Sequence, residues 1–331
     1  GDIGFTINLP SSLLSIQSIN INWGDGNTGV ITSSNYSNLQ FHNYLPGSYQ
    51  LTVTLTSISG CTQVVTYPVF VGSSPSPAAL QLFINQANGC VPHSTSYTFS
   101  VPSTNVNGTT YTVTWGDGTP NEVYTHPNTP STLSHVYGAS SCGNTVTISG
   151  TTYNNVFQPS VITQNPCSVQ PQPSAAGLIS VGLGPDASFT VSKTTICPGG
   201  TIQLTNTSNF GLTIPTASGA SCINTAPYYW VITPNNNPGN NWSVTSGSLG
   251  TNNGQPNNQA FWVSGTMTPS IQFNNPGIYT IELRVKNPCG LDIATQTICV
   301  VNPPTSAINP YTTIQCSPAN LTLSSNSLLP M

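Results

Sequence analysis

Apolar and polar residues alternate along several short stretches of this chain. Tyr49, Leu51 and Val53 fall at every second position with neutral polar residues between them, and the same alternation recurs in residues 111–115 and 279–285. A period of two, bounded by turn residues, predicts antiparallel β-strands with one buried face. In the last stretch this places Glu282, Arg284 and Lys286 on the outward face. Helix-forming Glu, Lys and Arg are almost absent, which favours an all-β fold.

The strands belong to repeats of about 100 residues. Three segments begin with a cysteine, a nearby proline and an alternating strand, and they start at Cys90, Cys197 and Cys316. These starts lie 107 and 119 residues apart. Such spacing is typical of β-sandwich domains, whereas short solenoid repeats have periods of 20–50 residues.

A second set of motifs recurs inside the repeats. Residues 23–26 and 115–118 both read WGDG, and each is followed about twenty residues later by a His-x-Tyr triplet, at His42 and His135. A Pro-Gly-x-Tyr strand then follows in the first repeat (residues 46–55), and a close match occurs in the third (residues 276–285). The third repeat differs upstream, because Trp230 and residues 271–273 (IQF) replace WGDG and His-x-Tyr.

The order WGDG, His-x-Tyr and Pro-Gly-x-Tyr resembles the polycystic kidney disease (PKD) repeat family. The resemblance implies tandem immunoglobulin-like (PKD-like) antiparallel β-sandwiches over nearly the whole chain. We expect an N-terminally incomplete domain at 1–73, domains at 76–170 and 185–303, the latter with a long insertion, and the truncated start of a further repeat at 305–331. Pro-rich linkers are expected at 73–77, 169–177 and 301–305.

Charge is scarce, with 3 Lys and Arg and 7 Asp and Glu in 331 residues. Three basic residues cannot build a nucleic-acid-binding patch, and no apolar run reaches the ~18–20 residues of a membrane span. We therefore expect neither nucleic-acid binding nor membrane insertion. There is no GxSxG or HExxH motif, and the few acids are scattered, so we expect no enzymatic activity and no cofactor or metal.

The repeated motifs contain candidates for chemistry, but their composition favours a structural role. Each WGDG turn offers one carboxylate, which can accept backbone N–H groups, whereas calcium requires six to eight oxygen ligands. Each repeated histidine precedes a tyrosine, which predicts packing at a strand start. We expect turn or core positions for ten residues: Trp23, Asp25, His42, Tyr44, Trp115, Asp117, His135, Tyr137, Trp230 and Tyr279.

The insertion of the third repeat is the candidate binding surface. From Trp230 to Tyr279 the chain runs 49 residues, against 26 from Trp23 to Tyr49. The additional residues are rich in Asn, Gly and Pro and contain Trp242 and Trp262. These tryptophans are either core residues or, if one is more than about half exposed, part of a glycan-binding site.

Nine scattered cysteines predict disulfides and an extracellular, oxidising location. One scheme pairs Cys90 with Cys167, Cys197 with Cys299, and Cys222 with Cys289. Another pairs Cys90 with Cys142 and Cys197 with Cys289. In both schemes Cys61 and Cys316 have no partner inside the chain, and the sequence does not choose between the schemes.

These observations predict a non-enzymatic stalk or adhesive segment of a large secreted cell-surface protein. Low charge, abundant Thr and Asn, and the cysteines resemble giant surface proteins of Bacteroidetes, including gliding-motility adhesins exported by type IX secretion. Expected partners are neighbouring repeats of the same polypeptide, surface glycans or other cell-surface proteins. Alternatives are a carbohydrate-binding accessory module of a secreted polysaccharide-degrading enzyme, or an S-layer or other structural shell component.

Overall fold

The computed structural model describes residues 2–6, 16–31, 38–216, 219–234 and 241–304. Within these ranges the chain forms 25 β-strands and one three-residue 3-10 turn, which confirms the all-β prediction. The predicted fourth repeat at 305–331, with Cys316, lies outside the described residues. The described residues divide between unit 1 (Gly1–Asn88, Pro92–Tyr137 and Val156–Ser180) and unit 2 (Gly89–Val91, Gly138–Asn155 and Val181–Met331).

The first repeat lies in unit 1 and contains two sheets. Its strands are β1 (Asp2–Phe5), β2 (Ile16–Asn22), β3 (Thr28–Ile31), β4 (Gln40–Asn43), β5 (Gly47–Ser57) and β6 (Thr62–Val71). One sheet has the order β3-β2-β5-β6, and β1 pairs with β4. Leu51 and Val53 of β5 are buried with Ile19 and Ile21 of β2 in one hydrophobic cluster, so the predicted inward row is confirmed.

The second repeat follows the same plan. Its strands are β7 (Ala79–Leu82), β8 (Asn88–Cys90), β9 (His93–Ser100), β10 (Thr110–Thr114), β11 (Glu122–Thr125), β12 (Thr132–Tyr137), β13 (Thr145–Ile148), β14 (Thr151–Asn154), β15 (Ser160–Gln164) and β16 (Gln172–Ala175). Sheets β11-β10-β15-β16 and β12-β9-β7 supply a core around Tyr97, Tyr111 and Trp115. The hairpin β13-β14 groups with unit 2.

The third repeat lies in unit 2. Its strands are β17 (Ser180–Gly182), β18 (Phe189–Val191), β19 (Thr195–Ile196), β20 (Gly200–Asn206), β21 (Tyr228–Thr233), β22 (Trp242–Ser246), β23 (Ser270–Phe273), β24 (Gly277–Asn287) and β25 (Gly290–Val300). Sheets β18-β20-β23-β22 and β19-β25-β24-β21 enclose the largest hydrophobic cluster. The pair β19–β25 is parallel. Strand β17 pairs with β8.

The structure bears on one predicted linker and on the predicted domain boundaries. The predicted linker at 169–177 is wrong in part, because β16 pairs antiparallel with β15 as an edge strand. Proline is tolerated on edge strands, so the Pro-rich composition of this stretch is compatible with a strand. The domain boundaries 76–170 and 185–303 stay predictions; residues 89–91 and 138–155 of the first range belong to unit 2.

Candidate functional site

The WGDG and His-x-Tyr motifs of the first repeat meet in one cluster, the first Asp–His cluster, formed by Trp23, Asp25, His42 and Tyr44. His42 Nε2 lies 2.7 Å from Asp25 Oδ2. The imidazole of His42 stacks on the Trp23 indole, with ring centroids 4.3 Å apart. The Tyr44 hydroxyl donates a hydrogen bond to the Trp23 carbonyl at 3.1 Å. These contacts fasten the turn to β4, which contains His42, and to Tyr44 just beyond β4.

The second repeat contains the same arrangement, the second Asp–His cluster, formed by Trp115, Asp117, His135 and Tyr137. His135 Nε2 lies 2.8 Å from Asp117 Oδ2, and the imidazole stacks on Trp115 at 4.6 Å. The Tyr137 hydroxyl donates to the Trp115 carbonyl at 3.3 Å. Two repeats with different sequences thus reproduce one geometry, which supports a structural role for all eight residues.

The first glycine of each WGDG turn is required by two separate features. Gly24 and Gly116 have φ of +80° and +85°, a region that side chains with a Cβ rarely adopt. A Cβ on Gly24 would lie 2.5 Å from the backbone oxygen of Gln50, and one on Gly116 would lie 2.8 Å from that of Gln158. Positive φ and close backbone approach together restrict this position to glycine.

The aspartates are held in their charged form. The hydrogen bond from His42 is the largest cause that lowers the pKa of Asp25 to about 2, helped by hydrogen bonds from Asn27. Burial tends to raise the pKa of Asp117, but hydrogen bonds from Thr119 and His135 hold it below its ordinary value. The predicted backbone contact is confirmed, because Asp25 Oδ1 accepts the Asn27 N–H at 3.0 Å. In the described part of the chain no group of three or more His, Cys, Asp or Glu side chains could hold a metal ion.

The third repeat keeps a tyrosine contact but replaces the polar cluster with apolar packing. The Tyr49 hydroxyl donates to the Leu45 carbonyl at 2.9 Å, and the Tyr279 hydroxyl donates to the Asn275 carbonyl at 3.0 Å. Phe273 lies 4.7 Å from Tyr279, much as Tyr44 lies 4.8 Å from Tyr49 in the first repeat. The predicted equivalence of residues 271–273 with His-x-Tyr is consistent with these contacts.

The long insertion packs against the outer face of the third sandwich. Trp262 is 7% exposed, and its indole N–H donates to the Gln255 carbonyl at 3.0 Å. The Trp262 and Tyr229 rings are nearly perpendicular, with centroids 4.8 Å apart. The guanidinium carbon of Arg284 lies over the Tyr229 ring, 5.9 Å from its centroid. The outward row of β24, which contains Arg284, is therefore half-buried, although it was expected to be solvent-facing.

Neither tryptophan of the insertion reaches the exposure that the glycan hypothesis requires. Trp262 is buried, and Trp242 is half-buried at the edge of the third core. Trp242 lies in β22, opposite Phe273 of β23, and its indole N–H donates to the Pro234 carbonyl at 3.1 Å. Trp242 therefore takes the core role that the sequence offered as the alternative. Trp262 is buried as well, but it packs on Tyr229 outside the hydrophobic cluster of the third sandwich and lies in no strand.

The disulfides differ from both predicted schemes. Cys90 is bonded to Cys289, and Cys142 is bonded to Cys222. The pairs Cys90–Cys167, Cys222–Cys289, Cys90–Cys142 and Cys197–Cys289 are therefore wrong. The reason is topological: residues 89–91 and 138–155 join unit 2, which brings their cysteines to partners in the third repeat.

The pair Cys197–Cys299 is also wrong, although both residues lie beside the same strand pair. Thr195 is in register with Cys299 and Ile196 with Val300, so Cys197 lies two positions further along than Cys299. A diagonal offset of this kind separates Cα atoms by about 7–8 Å, beyond the usual reach of a disulfide. Both thiols are free, as are those of Cys61 and Cys167.

A set of contacts that the sequence did not reveal holds the first linker, residues 73–77. We call Ser76, Asn105 and Tyr111 the junction clamp. Asn105 accepts the Ser76 N–H through Oδ1 at 2.8 Å and donates through Nδ2 to the Ser76 carbonyl at 2.9 Å. The same Nδ2 donates to the Tyr111 hydroxyl at 3.0 Å. Asn105 and Tyr111 are both buried, so the linker is anchored to the core of the second repeat.

Further contacts surround the junction clamp inside unit 1. Asn165 Nδ2 donates to the Ser73 carbonyl at 2.9 Å, and the Cys167 thiol donates to the Gly72 carbonyl at 3.4 Å. Gly108 approaches the first repeat so closely that a Cβ on it would lie 2.8 Å from Ser48 Cβ. The two repeats of unit 1 are thus in direct contact at their junction.

One cleft in unit 2 has amide side chains at four of its eight lining residues. Its volume is about 340 Å³, and its lining includes Asn257, Gln259, Lys286 and Cys289. Gln259 Oε1 is buried and has no hydrogen-bond partner in the structure. Such a cleft offers hydrogen-bonding groups and one positive charge. Among the described residues, no helix has the length and apolar character needed to cross a membrane.

No family model and no curated protein matches the chain. The solved structures that match the chain include proteins with several immunoglobulin or fibronectin(III)-like domains, at low identity and low TM-score. Extracellular domains 3–5 of Drosophila OTK are 12% identical, with 91% of each chain covered and a TM-score of 0.25. The N-terminal eight Ig domains of Down Syndrome Cell Adhesion Molecule are 12% identical, covering 92% of this chain and 34% of that one, with a TM-score of 0.30.

A bacterial example is found among the same solved structures. Fibronectin(III)-like modules of Clostridium thermocellum CbhA are 15% identical, covering 54% of this chain and 86% of that one, with a TM-score of 0.23. The predicted fold class is confirmed as tandem antiparallel β-sandwiches by the paired sheets and the separate hydrophobic cores of the three repeats. The narrower resemblance to the PKD repeat stays a prediction.

Proposed function

We propose that this chain is a non-enzymatic stalk segment of a large secreted bacterial cell-surface adhesin, with PKD-like repeats. The observation that carries the proposal is the junction clamp. A five-residue linker without contacts would let neighbouring repeats swing independently, whereas Asn105 holds Ser76 by two hydrogen bonds. A stalk needs such fixed junctions, because its task is to keep a distal part at a distance from the cell.

Surface chemistry supports the same function. Neutral polar residues dominate the chain, which has 3 basic and 7 acidic residues. Contacts made by such a surface depend little on ionic strength, because salt screens interactions between charges. The partners in this proposal are neighbouring repeats, surface glycans and other cell-surface proteins. Two disulfides support an extracellular location, since disulfides persist in oxidising compartments.

The repeat family and cellular system are further parts of the proposal. The two Asp–His clusters support the PKD assignment, because the motifs that carried the resemblance form one repeated geometry. The proposal includes export by type IX secretion, a role in gliding motility and an origin in Bacteroidetes. These parts are supported by the sequence alone, through its low charge, its abundant Thr and Asn, and its cysteines.

Electron–electron distance measurements between two spin labels test the stalk function. Unnatural amino acids at the exposed positions Val64 and Val123 carry the labels, because free cysteines make thiol labelling ambiguous. We expect a narrow distance distribution for the native chain. A broad one is expected when Asn105→Ala, which removes both hydrogen bonds to the Ser76 backbone, is combined with replacement of residues 73–77 by Gly and Ser. A native distribution as broad as that of the combined variant would contradict the proposal.

A second candidate is a carbohydrate-binding accessory module, favoured by the amide-lined cleft beside Lys286. Amides and a single ammonium group suit a ligand with hydroxyl groups and one negative charge, such as an acidic sugar. A glycan array tests this candidate. Binding to acidic glycans that is lost in Lys286→Ala and retained in Lys193→Ala would favour it over the stalk, and an array without binding would remove it.

A further inference from the structure

The Cys90–Cys289 disulfide connects residues that are 199 positions apart in the sequence. The second disulfide, Cys142–Cys222, spans 80 positions and lies entirely inside the loop closed by the first. A covalent bond between two distant residues gives tension a path that does not follow the whole backbone. The order of the cysteines therefore determines which segments a pulling force reaches.

We propose that the chain has a second, mechanical function: it carries tension along a covalent shortcut through Cys90 and Cys289, which shields residues 91–288 from the load. The inference rests on the proposed stalk function, because tension along the chain arises when a stalk links a cell to a distant contact. Force that enters at the first repeat runs to Cys90, crosses the disulfide to Cys289 and leaves along the residues that follow.

The C-terminal side of this path is already extended. Strand β25 begins at Gly290, immediately after Cys289, and ends at Val300. Tension between Cys289 and Val300 thus acts along the axis of one strand. A strand is already nearly fully extended, so pulling on it adds almost no length. This strand lies between β19 and β24, and both neighbours belong to the shielded loop. The third sandwich can therefore remain folded while the load passes along one of its strands.

The N-terminal side of the path is short in the second repeat. Only the residues from the linker to Cys90 are under load there, including β7 and β8. Detaching all residues from 73 to 90, including β7 from its partner β9, would release at most about 60 Å of extended chain, at ~3.5 Å per residue. The first repeat lies wholly outside the disulfide loop, so it is the sandwich that force can unfold, with a release of about 250 Å at the same length per residue.

The shielded length is large enough to measure. At ~3.5 Å per residue, a loop of 199 residues stores about 700 Å of extended chain. If the first disulfide is removed while Cys142–Cys222 remains, that inner loop of 80 residues retains about 280 Å. Removal of the outer disulfide alone should therefore release about 400 Å, and removal of both should release about 700 Å.

Single-molecule force spectroscopy on the full chain, with handles at its two ends, tests the inference. Without reductant we expect unfolding steps of the first repeat and no further release beyond about 60 Å. The variant Cys90→Ser with Cys289→Ser should add about 400 Å. The matched control, Cys142→Ser with Cys222→Ser, loses the inner disulfide and should show the same extension as the native chain.

A second measurement covers the case in which the cysteine variants fold poorly. The folded, oxidised chain is held under constant force, and dithiothreitol is added. Release of the stored length upon reduction would support the shortcut. Release of several hundred ångströms before reduction, or an increased extension in the control variant, would overturn it. These outcomes do not depend on the label distances that test the stalk, so a failure of the shortcut can be distinguished from a failure of the stalk proposal.

Discussion

The junction clamp gives the most direct prediction from this structure. In Asn105→Ala the two hydrogen bonds to Ser76 and the one to Tyr111 are lost. Ser76 is exposed, so its backbone groups can bond to water instead, whereas the Tyr111 hydroxyl stays buried. Lost neutral hydrogen bonds cost about 1 kcal/mol each, and a buried polar group without a partner costs about 1–3 kcal/mol.

The expected loss is therefore about 3–5 kcal/mol of the second repeat's stability, about 2 kcal/mol for the hydrogen bonds to Ser76 and about 1–3 kcal/mol for the unpartnered Tyr111 hydroxyl. For a domain of 60–100 residues, 1 kcal/mol lowers Tm by about 4–8 °C, so the transition of this repeat should fall by about 12 °C or more. Asn107→Ala is the matched control, because Asn107 lies two positions away and is exposed. We expect its Tm to change by less than about 2 °C, as is usual for surface substitutions.

Hydrogen exchange with mass spectrometry locates the effect, since a chain with several repeats does not unfold in one step. Peptides that cover residues 73–82 and 104–114 should lose protection in Asn105→Ala, while those of the third repeat keep theirs. If both asparagine variants exchange and melt alike, the clamp contributes nothing to the junction, and the argument for a fixed linker fails.

Three further predictions follow from the other contacts. In urea unfolding, Gly24→Ala should destabilise the first repeat by about 3 kcal/mol or more, and Gly26→Ala by about 1–2 kcal/mol. Both glycines have positive φ, but only Gly24 lies close to another backbone segment, at Gln50. The stability lost in Asp25→Asn should be present above about pH 4 and vanish as pH falls to about 2, since the folded pKa is lowered; a pH-independent difference would contradict this. Trp262→Ala should cost about 3–5 kcal/mol in thermal unfolding, whereas Phe261→Ala, 54% exposed, should cost little.

Local pattern was sufficient to predict the strands with alternating residues and the all-β fold class, but it missed β16, which was expected to be a linker. The alternation in β5 and β24 predicted both strands and their buried rows, because side chains on a strand point to opposite faces in turn. The repeated WGDG turns predicted tight turns with an aspartate that accepts backbone N–H groups. The Asp25–His42 contact was missed, yet a signal existed: the motifs recur with separations of 17 and 18 residues in the two repeats.

Contacts between distant residues were decided by the tertiary structure alone. The sequence shows nine cysteines, but their pairing depends on which segments join unit 2, and both predicted schemes assumed pairs within one repeat. Asn105 is one Asn among many in the chain, and only the folded junction distinguishes it. Alternation along a strand is local information, whereas a disulfide or a clamp requires two chain segments to meet, which no periodic pattern encodes.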